Sequence, residues 1–307
     1  MIIASGEQHV VQFGDQRAVV VEVGGGIRSF TDRDRDVLQD YPPSVMCDGA
    51  HGTPLIPWPN RLADGRYRFD GVVHQLPLTE PDKHNAIHGL LRWRSWRRVD
   101  KTPQAVIMGV RLHPEPGYPF GLDVQVSYRL DAAGLTVRTT ATNVGEVDCP
   151  FACGQHPYLS PGDGLIDLCR LEVPARTRIV TDATRQLPVG KKPVEGTAFN
   201  WRWPRPLESV RLDDPFTDLS RDEEGRAWVR LHRPDGSTVE LWVDRAYPIV
   251  ELFTGDTLTA SRRRRGLGVE PMSAPPNSFQ SGELVQRLRP GQSWTGEWGV
   301  RMVDRSS

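Results

Sequence analysis

The chain has 307 residues, 25% of them charged, and a formal net charge of −1 at pH 7. A near-zero balance argues against a nucleic-acid binder, which carries a basic surplus, and the length allows a full hydrophobic core without disulfide staples. No apolar run reaches the length of a membrane span, and the start, Met1-Ile2-Ile3-Ala4-Ser5-Gly6-Glu7, lacks the pattern of a secretory leader, so a cytoplasmic protein with no membrane partner is expected. Cys47, Cys149, Cys153 and Cys169 form no C-x-x-C pair and read as reduced, mostly buried thiols.

Strand and turn signals dominate. Arg66-Tyr67-Arg68-Phe69 and Val72-Val73-His74-Gln75-Leu76 flank Asp70-Gly71, a dipeptide suited to a hairpin turn with positive φ. Val124, Val126, Tyr128 and Leu130 alternate with polar residues. After Asp131-Ala132-Ala133-Gly134 the alternation resumes through Leu135, Val137, Thr139 and Ala141, which predicts a half-buried hairpin. A third hairpin runs from Ala227 through Leu231, turns at Pro234-Asp235-Gly236 and returns through Val239, Leu241 and Val243. No long window carries a 3.6-residue apolar stripe, and the 26 Pro and 29 Gly punctuate most candidate helices. There is no linker-like stretch and no repeat of fixed period. The expected fold is all-β, a large antiparallel β-sandwich or barrel forming a single domain over residues 1–307. Arg262-Arg263-Arg264-Arg265 reads as a solvated loop, with a phosphate or protein contact as the lesser reading.

Five segments carry candidate chemistry. In Pro57-Trp58-Pro59-Asn60-Arg61-Leu62, two prolines hold an extended stretch, Trp58 offers a flat apolar face to a sugar ring, and Arg61 can donate a fork of hydrogen bonds. In Lys83-His84-Asn85-Ala86-Ile87-His88-Gly89, the two histidines have i, i+4 spacing. Pro81, Gly89 and the missing Glu of an H-E-x-x-H motif oppose a zinc site, so no metal is expected, and His88 is the better pocket candidate. Gly154-Gln155-His156-Pro157-Tyr158 places an imidazole at a constrained strand end, with Tyr158 ready to pack beside it or to bind a ligand hydroxyl. Asp213-Asp214-Pro215-Phe216 reads as an acidic turn. Gly268-Val269-Glu270-Pro271 places a carboxylate at the end of an apolar strand, where partial desolvation raises its basicity. A carboxylate to take a proton and a histidine to give one suit chemistry on a hydroxyl and an ether-like oxygen.

Together, Asn60-Arg61, Asn85-Ala86-Ile87-His88-Gly89, Gly154-Gln155-His156-Pro157-Tyr158, Asp213-Asp214-Pro215-Phe216 and Val269-Glu270-Pro271 resemble the aldose 1-epimerase (mutarotase) family over nearly the whole chain. The resemblance implies an antiparallel β-supersandwich with a sugar cleft on one face. It implies Glu270 as general base at the anomeric hydroxyl, His156 as general acid at the ring oxygen and His88 as a hydrogen-bond partner near that oxygen. Arg61 and Asp213 would grip sugar hydroxyls, with Asn60, Tyr158 and Trp58 as further binding residues. Ring opening and reclosure break only the C1–O5 bond at carbon, so no cofactor is expected. A free hexose such as glucose or galactose is the leading substrate. A hexose 6-phosphate is the alternative, with Arg92, Arg94, Arg97, Arg98 or the Arg262–Arg265 run as a basic rim. A third possibility is a non-catalytic sugar-binding protein on the same scaffold.

Overall fold

The computed structural model describes residues 3–304. Among them, antiparallel strands build a twelve-stranded and a nine-stranded sheet, with three small two-stranded sheets at the margins. The nine-stranded sheet contains two of the expected hairpins. Strands Leu122–Asp131 and Gly134–Asn143 pair in a register that sets Val124 opposite Ala141, Val126 opposite Thr139 and Tyr128 opposite Val137. Ala227–His232 and Thr238–Val243 pair with Val229 opposite Leu241. The hairpin Arg66–Phe69/Val72–Gln75 stands as a marginal two-stranded sheet, and Asp70 (φ 47°) and Gly71 (φ 80°) both take the left-handed backbone its two-residue turn requires.

Alternation explains why the layers close. On strand Leu122–Asp131, Val124, Val126, Tyr128 and Leu130 are buried while their neighbours face outward. They meet Val11, Val20, Phe30 and Val37 of the twelve-stranded sheet in one hydrophobic cluster, which also takes Phe216, Val250, Leu252, Leu267 and Val269. Each such side chain contributes roughly 1.5–3 kcal/mol through burial. Among the described residues the one α-helix, Ser278–Ser281, places Phe279 against Trp58 and Tyr67. Among the described residues no helix is long and apolar enough to cross a membrane.

The middle of the twelve-stranded sheet matters most for function. There the neighbours run Tyr158–Leu159, Leu267–Met272, Ile249–Phe253, Asp213–Leu219. Val250, Leu252 and Val269 point into the core. The period of two then sends Asp213, Glu251 and Glu270 to the opposite face. Two expectations are corrected. Asp213-Asp214-Pro215-Phe216 is the start of a strand rather than a turn, and Asp214 is buried on the Arg178 guanidinium, 2.5 Å away. Glu270 lies inside its strand rather than at its end, because pairing continues through Pro271 opposite Val250 and Met272 opposite Ile249.

The arginine run is also not a solvated loop throughout. Arg264 is buried, with Nε 2.7 Å from Asp167 and further bonds to the Val210 and Glu208 carbonyls. Arg262 turns inward onto Asp48 and His51. Buried guanidiniums persist because their donors are met by carboxylates and carbonyls. The four cysteines are free thiols, three of them buried.

Candidate active site

A cleft of about 400 Å³ opens over this sheet face, lined among others by Asn60, Arg61, His88, His156, Asp213 and Glu270. Six of the eight residues singled out from the sequence therefore converge on one concavity. His156 and Glu270 form its core: Nε2 of His156 lies 3.0 Å from Oε1 of Glu270, with both side chains almost fully buried. The second atom of each group, Nδ1 of His156 and Oε2 of Glu270, is buried without a partner. A carboxylate and an imidazole in contact in a polar cleft can pass a proton between them or to a ligand.

The position of His156 follows from its neighbours. Gln155 reaches across the core, where its amide donates to the Tyr128 hydroxyl at 3.0 Å and accepts from Trp298 Nε1 at 3.2 Å. On the backbone, His156 N–H donates to Thr53 and its carbonyl accepts from Gly52. The Tyr158 ring stacks on the imidazole, with centroids 4.8 Å apart and planes 15° off parallel, and His51 stacks on Tyr158 at 4.5 Å. Gly268 leaves room for this arrangement, since a Cβ there would come within 3.3 Å of His156 Cε1 and 3.1 Å of Phe253 Cβ. Tyr158 takes the packing role of the two foreseen for it. Its hydroxyl donates its proton to the Gly49 carbonyl at 2.8 Å, and the side chain is buried outside the cleft lining.

His88 and Asn60 hold each other. The His88 N–H donates to the Asn60 carbonyl at 3.0 Å, and the Asn60 N–H donates to His88 Nδ1 at 3.2 Å. Both take left-handed backbone, φ 63° and 54°. The next residue, Gly89, is glycine for a steric reason: a Cβ there would lie 2.0 Å from the Ile56 carbonyl oxygen. Burial, with nearby Arg92, His156 and Arg61, pushes the His88 pKa well below its ordinary value. His88 is therefore neutral, and because Nδ1 accepts, its proton sits on Nε2.

Arg61 is fixed by a partner the sequence reading missed. Glu80 accepts from Arg61 Nε at 2.9 Å and from its terminal nitrogen at 3.1 Å, and Asn85 Nδ2 holds Glu80 in turn at 3.0 Å. Asp213 stands 3.8 Å from the same guanidinium and accepts from Gln186. Burial pulls the Arg61 pKa down, but Asp213 and Glu80 outweigh it and raise it. A carboxylate before Pro81 was the available signal for Glu80. The other missed residue is Glu251, almost fully buried beside Glu270, and its signal was an acid inside the apolar run Ile249-Val250-Glu251-Leu252-Phe253.

Trp58 is corrected. It does not line the cleft but is 2% exposed in the core, its ring 5.7 Å from that of Phe279. Burying so large an apolar area outweighs leaving the ring open for a sugar. His84 stays at the surface, 2.8 Å from Asp64, apart from His88.

The chain matches the aldose 1-epimerase family model over residues 8–301. It is 34% identical to the uncharacterized Escherichia coli K12 protein YihR, over 94% of this chain and 91% of that protein. It is 33% identical to the galactose mutarotase of Rattus norvegicus, over 69% of this chain and 64% of that enzyme. Among solved structures, a GalM/aldose epimerase homologue from C. elegans superposes with a TM-score of 0.86 at 17% identity, covering 98% of this chain and all (100%) of that one. A putative aldose 1-epimerase from Escherichia coli K12 superposes with a TM-score of 0.83 at 22% identity, covering 97% and 99%. The all-β architecture is thus that of the galactose mutarotase-like proteins, and the chain belongs to the aldose 1-epimerase family of isomerases.

Proposed function

We propose that the protein interconverts the α and β anomers of a free hexose of the glucose or galactose type, with Glu270 as general base and His156 as general acid. The observation that carries this reading is the 3.0 Å contact between His156 Nε2 and Glu270 Oε1 in the cleft. Glu270 takes the proton from the anomeric O1 hydroxyl. His156 delivers one to O5 from Nε2, its other nitrogen being buried. The C1–O5 bond opens to the aldehyde, rotation about C1–C2 exposes its other face, and the two groups exchange roles on reclosure. Neutral His88 donates from Nε2 near O5, while Arg61, Asn60 and Asp213 hold hydroxyls. A positioned acid and base supply about 10²–10⁴-fold each, enough for a reaction that already proceeds in water.

Polarimetry on freshly dissolved α-glucose and α-galactose tests this. Wild type accelerates the decay of rotation, and Glu270→Gln returns it to the uncatalysed rate while sugar binding persists. Retained turnover in that variant rules out Glu270 as the base. Sugar binding without acceleration by the wild type favours a non-catalytic sugar binder.

One observation supports a second reading. Arg92 lines the cleft half-buried, with no carboxylate partner among the described residues. Burial lowers its pKa. An unpaired cation on the cleft wall suits an anionic substituent such as the phosphate of a hexose 6-phosphate. Of the basic rim foreseen from the sequence, Arg94 is instead paired with Glu115, and Arg98 lies 3.6 Å from Glu7. Much faster anomerisation of glucose 6-phosphate than of glucose decides for this reading.

A further inference from the structure

Glu251 has no place in the acid–base scheme, yet it is the most enclosed carboxyl at the site. The register sets it directly opposite Glu270 on one neighbouring strand and opposite Pro215 on the other, with Asp213 two residues along on the same face. Directly opposed side chains of antiparallel strands have Cβ atoms about 4.5–5.5 Å apart. Glu251 is 1% exposed and Glu270 2%.

The surrounding charges do not balance three anions. Arg61 is committed to Glu80 and shared with Asp213. Arg178 is occupied by Asp214. His156 offers its Nε2 to Glu270. What Glu251 receives is a neutral amide: Asn60 Nδ2 donates to its Oε2 at 3.2 Å. That amide cannot turn over, since Asn60 Oδ1 is held by the Arg61 N–H at 2.7 Å. Two carboxyls side by side away from water do not both ionise, and the charge settles on Glu270, which has the imidazole as its partner where Glu251 has only an amide.

We infer that Glu251 is carried as a neutral carboxylic acid whose proton leaves Glu270 the sole anion of the pair, so that Glu251 is a positioning residue for the base. Oε2 accepts from Asn60, so the proton lies on Oε1. Glu270 Oε2, a buried acceptor without a partner, belongs to the side chain directly opposite. Burial, reinforced by Asp213, Glu270 and Asp214 and opposed by Arg61, holds the Glu251 pKa well above the usual carboxylate range. An ionised neighbour would oppose the negative charge that Glu270 needs to act as a base, and a neutral one does not.

The inference rests on Glu270 being the base, but the protonation of Glu251 is measurable without turnover. The infrared spectrum of the wild type at pH 7 is expected to show a protonated-carboxyl C=O band that disappears in Glu251→Gln, an isosteric and permanently neutral variant. Its folding is checked by thermal melting. In polarimetry, Glu251→Gln keeps kcat/KM at pH 7 within about threefold of wild type, and the acid limb of its pH profile moves by less than about a third of a pH unit. Absence of the band shows that Glu251 is ionised and overturns the inference. So does an acid limb that moves down by about one pH unit, a tenfold change in proton concentration, because removing a charged neighbour would produce it. A band that vanishes as expected, with turnover lost more than about 100-fold at every pH, overturns the positioning role. If the wild type turns over no sugar, the assignment of the base fails, while the band still decides the charge of Glu251.

Discussion

Nε2 of His156 and Oε1 of Glu270 lie 3.0 Å apart, so the proposed acid and the proposed base satisfy each other. In the proposed reaction a sugar exchanges that contact for two of its own, O5 to the imidazole and O1 to the carboxylate. Replacing His156 by Asn therefore removes the group able to give a proton to O5, though an amide N–H can still donate a hydrogen bond, and takes the imidazole away from Glu270. The expected outcome is a fall in kcat of about 10²–10⁴-fold with a much smaller change in KM, read by polarimetry across substrate concentration. Equal losses in both constants for several sugars would point to misfolding, which a melting curve separates.

The ring of Tyr158, held between His156 and His51, sets the plane of the imidazole. Tyr158→Phe keeps the stack and loses one hydrogen bond to Gly49, so it costs about 1 kcal/mol of stability and leaves kcat within a few-fold. Tyr158→Leu removes the flat support and is expected to lower kcat at least tenfold with little effect on KM. Similar kinetics for the two variants would show that the stack does not position the acid.

Glu80, itself on the cleft wall, fixes the guanidinium of Arg61. Glu80→Gln breaks the bidentate pair and frees the guanidinium to shift toward Asp213. A KM rise of about tenfold, equivalent to about 1.4 kcal/mol of lost binding, is expected with kcat nearly unchanged. A kcat effect larger than the KM effect would place Glu80 closer to the chemistry than the geometry does.

Trp58 separates packing from binding. Trp58→Ala removes a large buried side chain from its contact with Phe279 and is expected to destabilise the fold by about 3–5 kcal/mol. Trp58→Phe, which keeps a ring in the core, is expected to retain wild-type KM. A KM raised tenfold in that milder variant would restore Trp58 to the sugar site.

Two buried neutral histidines make the fold sensitive to acid. His51 donates Nε2–H to the Gln39 carbonyl at 2.6 Å and accepts from Arg262 at Nδ1, which leaves no room for a second proton. Burial lowers its pKa to about 3 from the ordinary 6.5, and burial lowers that of His88 as well. Above pH 6.5 neither folded nor unfolded chain binds these protons, so the term vanishes. Below it the unfolded chain takes them up and the folded chain does not, so stability falls with pH by about 1.4 kcal/mol per unit for each histidine until the folded pKa is reached. Thermal melts of the wild type should drop more steeply between pH 6.5 and 4 than those of His51→Gln. Parallel curves would refute the assignment for His51.

Legibility in the sequence followed the range of the interaction. The three hairpins could be read because alternation and a short turn are local, as with Val124 to Ala141 around Ala132-Ala133. His156, Glu270 and His88 could be read because each sits in a short segment whose Gly or Pro constrains the backbone. Trp58 could not, since its fate depends on Phe279, a partner far along the chain. Neither could Glu251, whose meaning comes from a cross-strand neighbour that only the register supplies. Arg262 and Arg264 looked solvated because their acceptors, Asp48 and Asp167, belong to remote loops.

The sheet order has a kinetic consequence. Tyr158–Leu159, Leu267–Met272, Ile249–Phe253 and Asp213–Leu219 lie side by side, although more than fifty residues separate the first from the last of them along the chain. His156 lies just before the first of these strands and Glu270 on the second, so their contact forms only when segments more than a hundred residues apart in sequence have paired. Recovery of turnover during refolding is therefore a clock for the closing of long-range strand pairs, and it should lag behind the return of β-structure measured by circular dichroism.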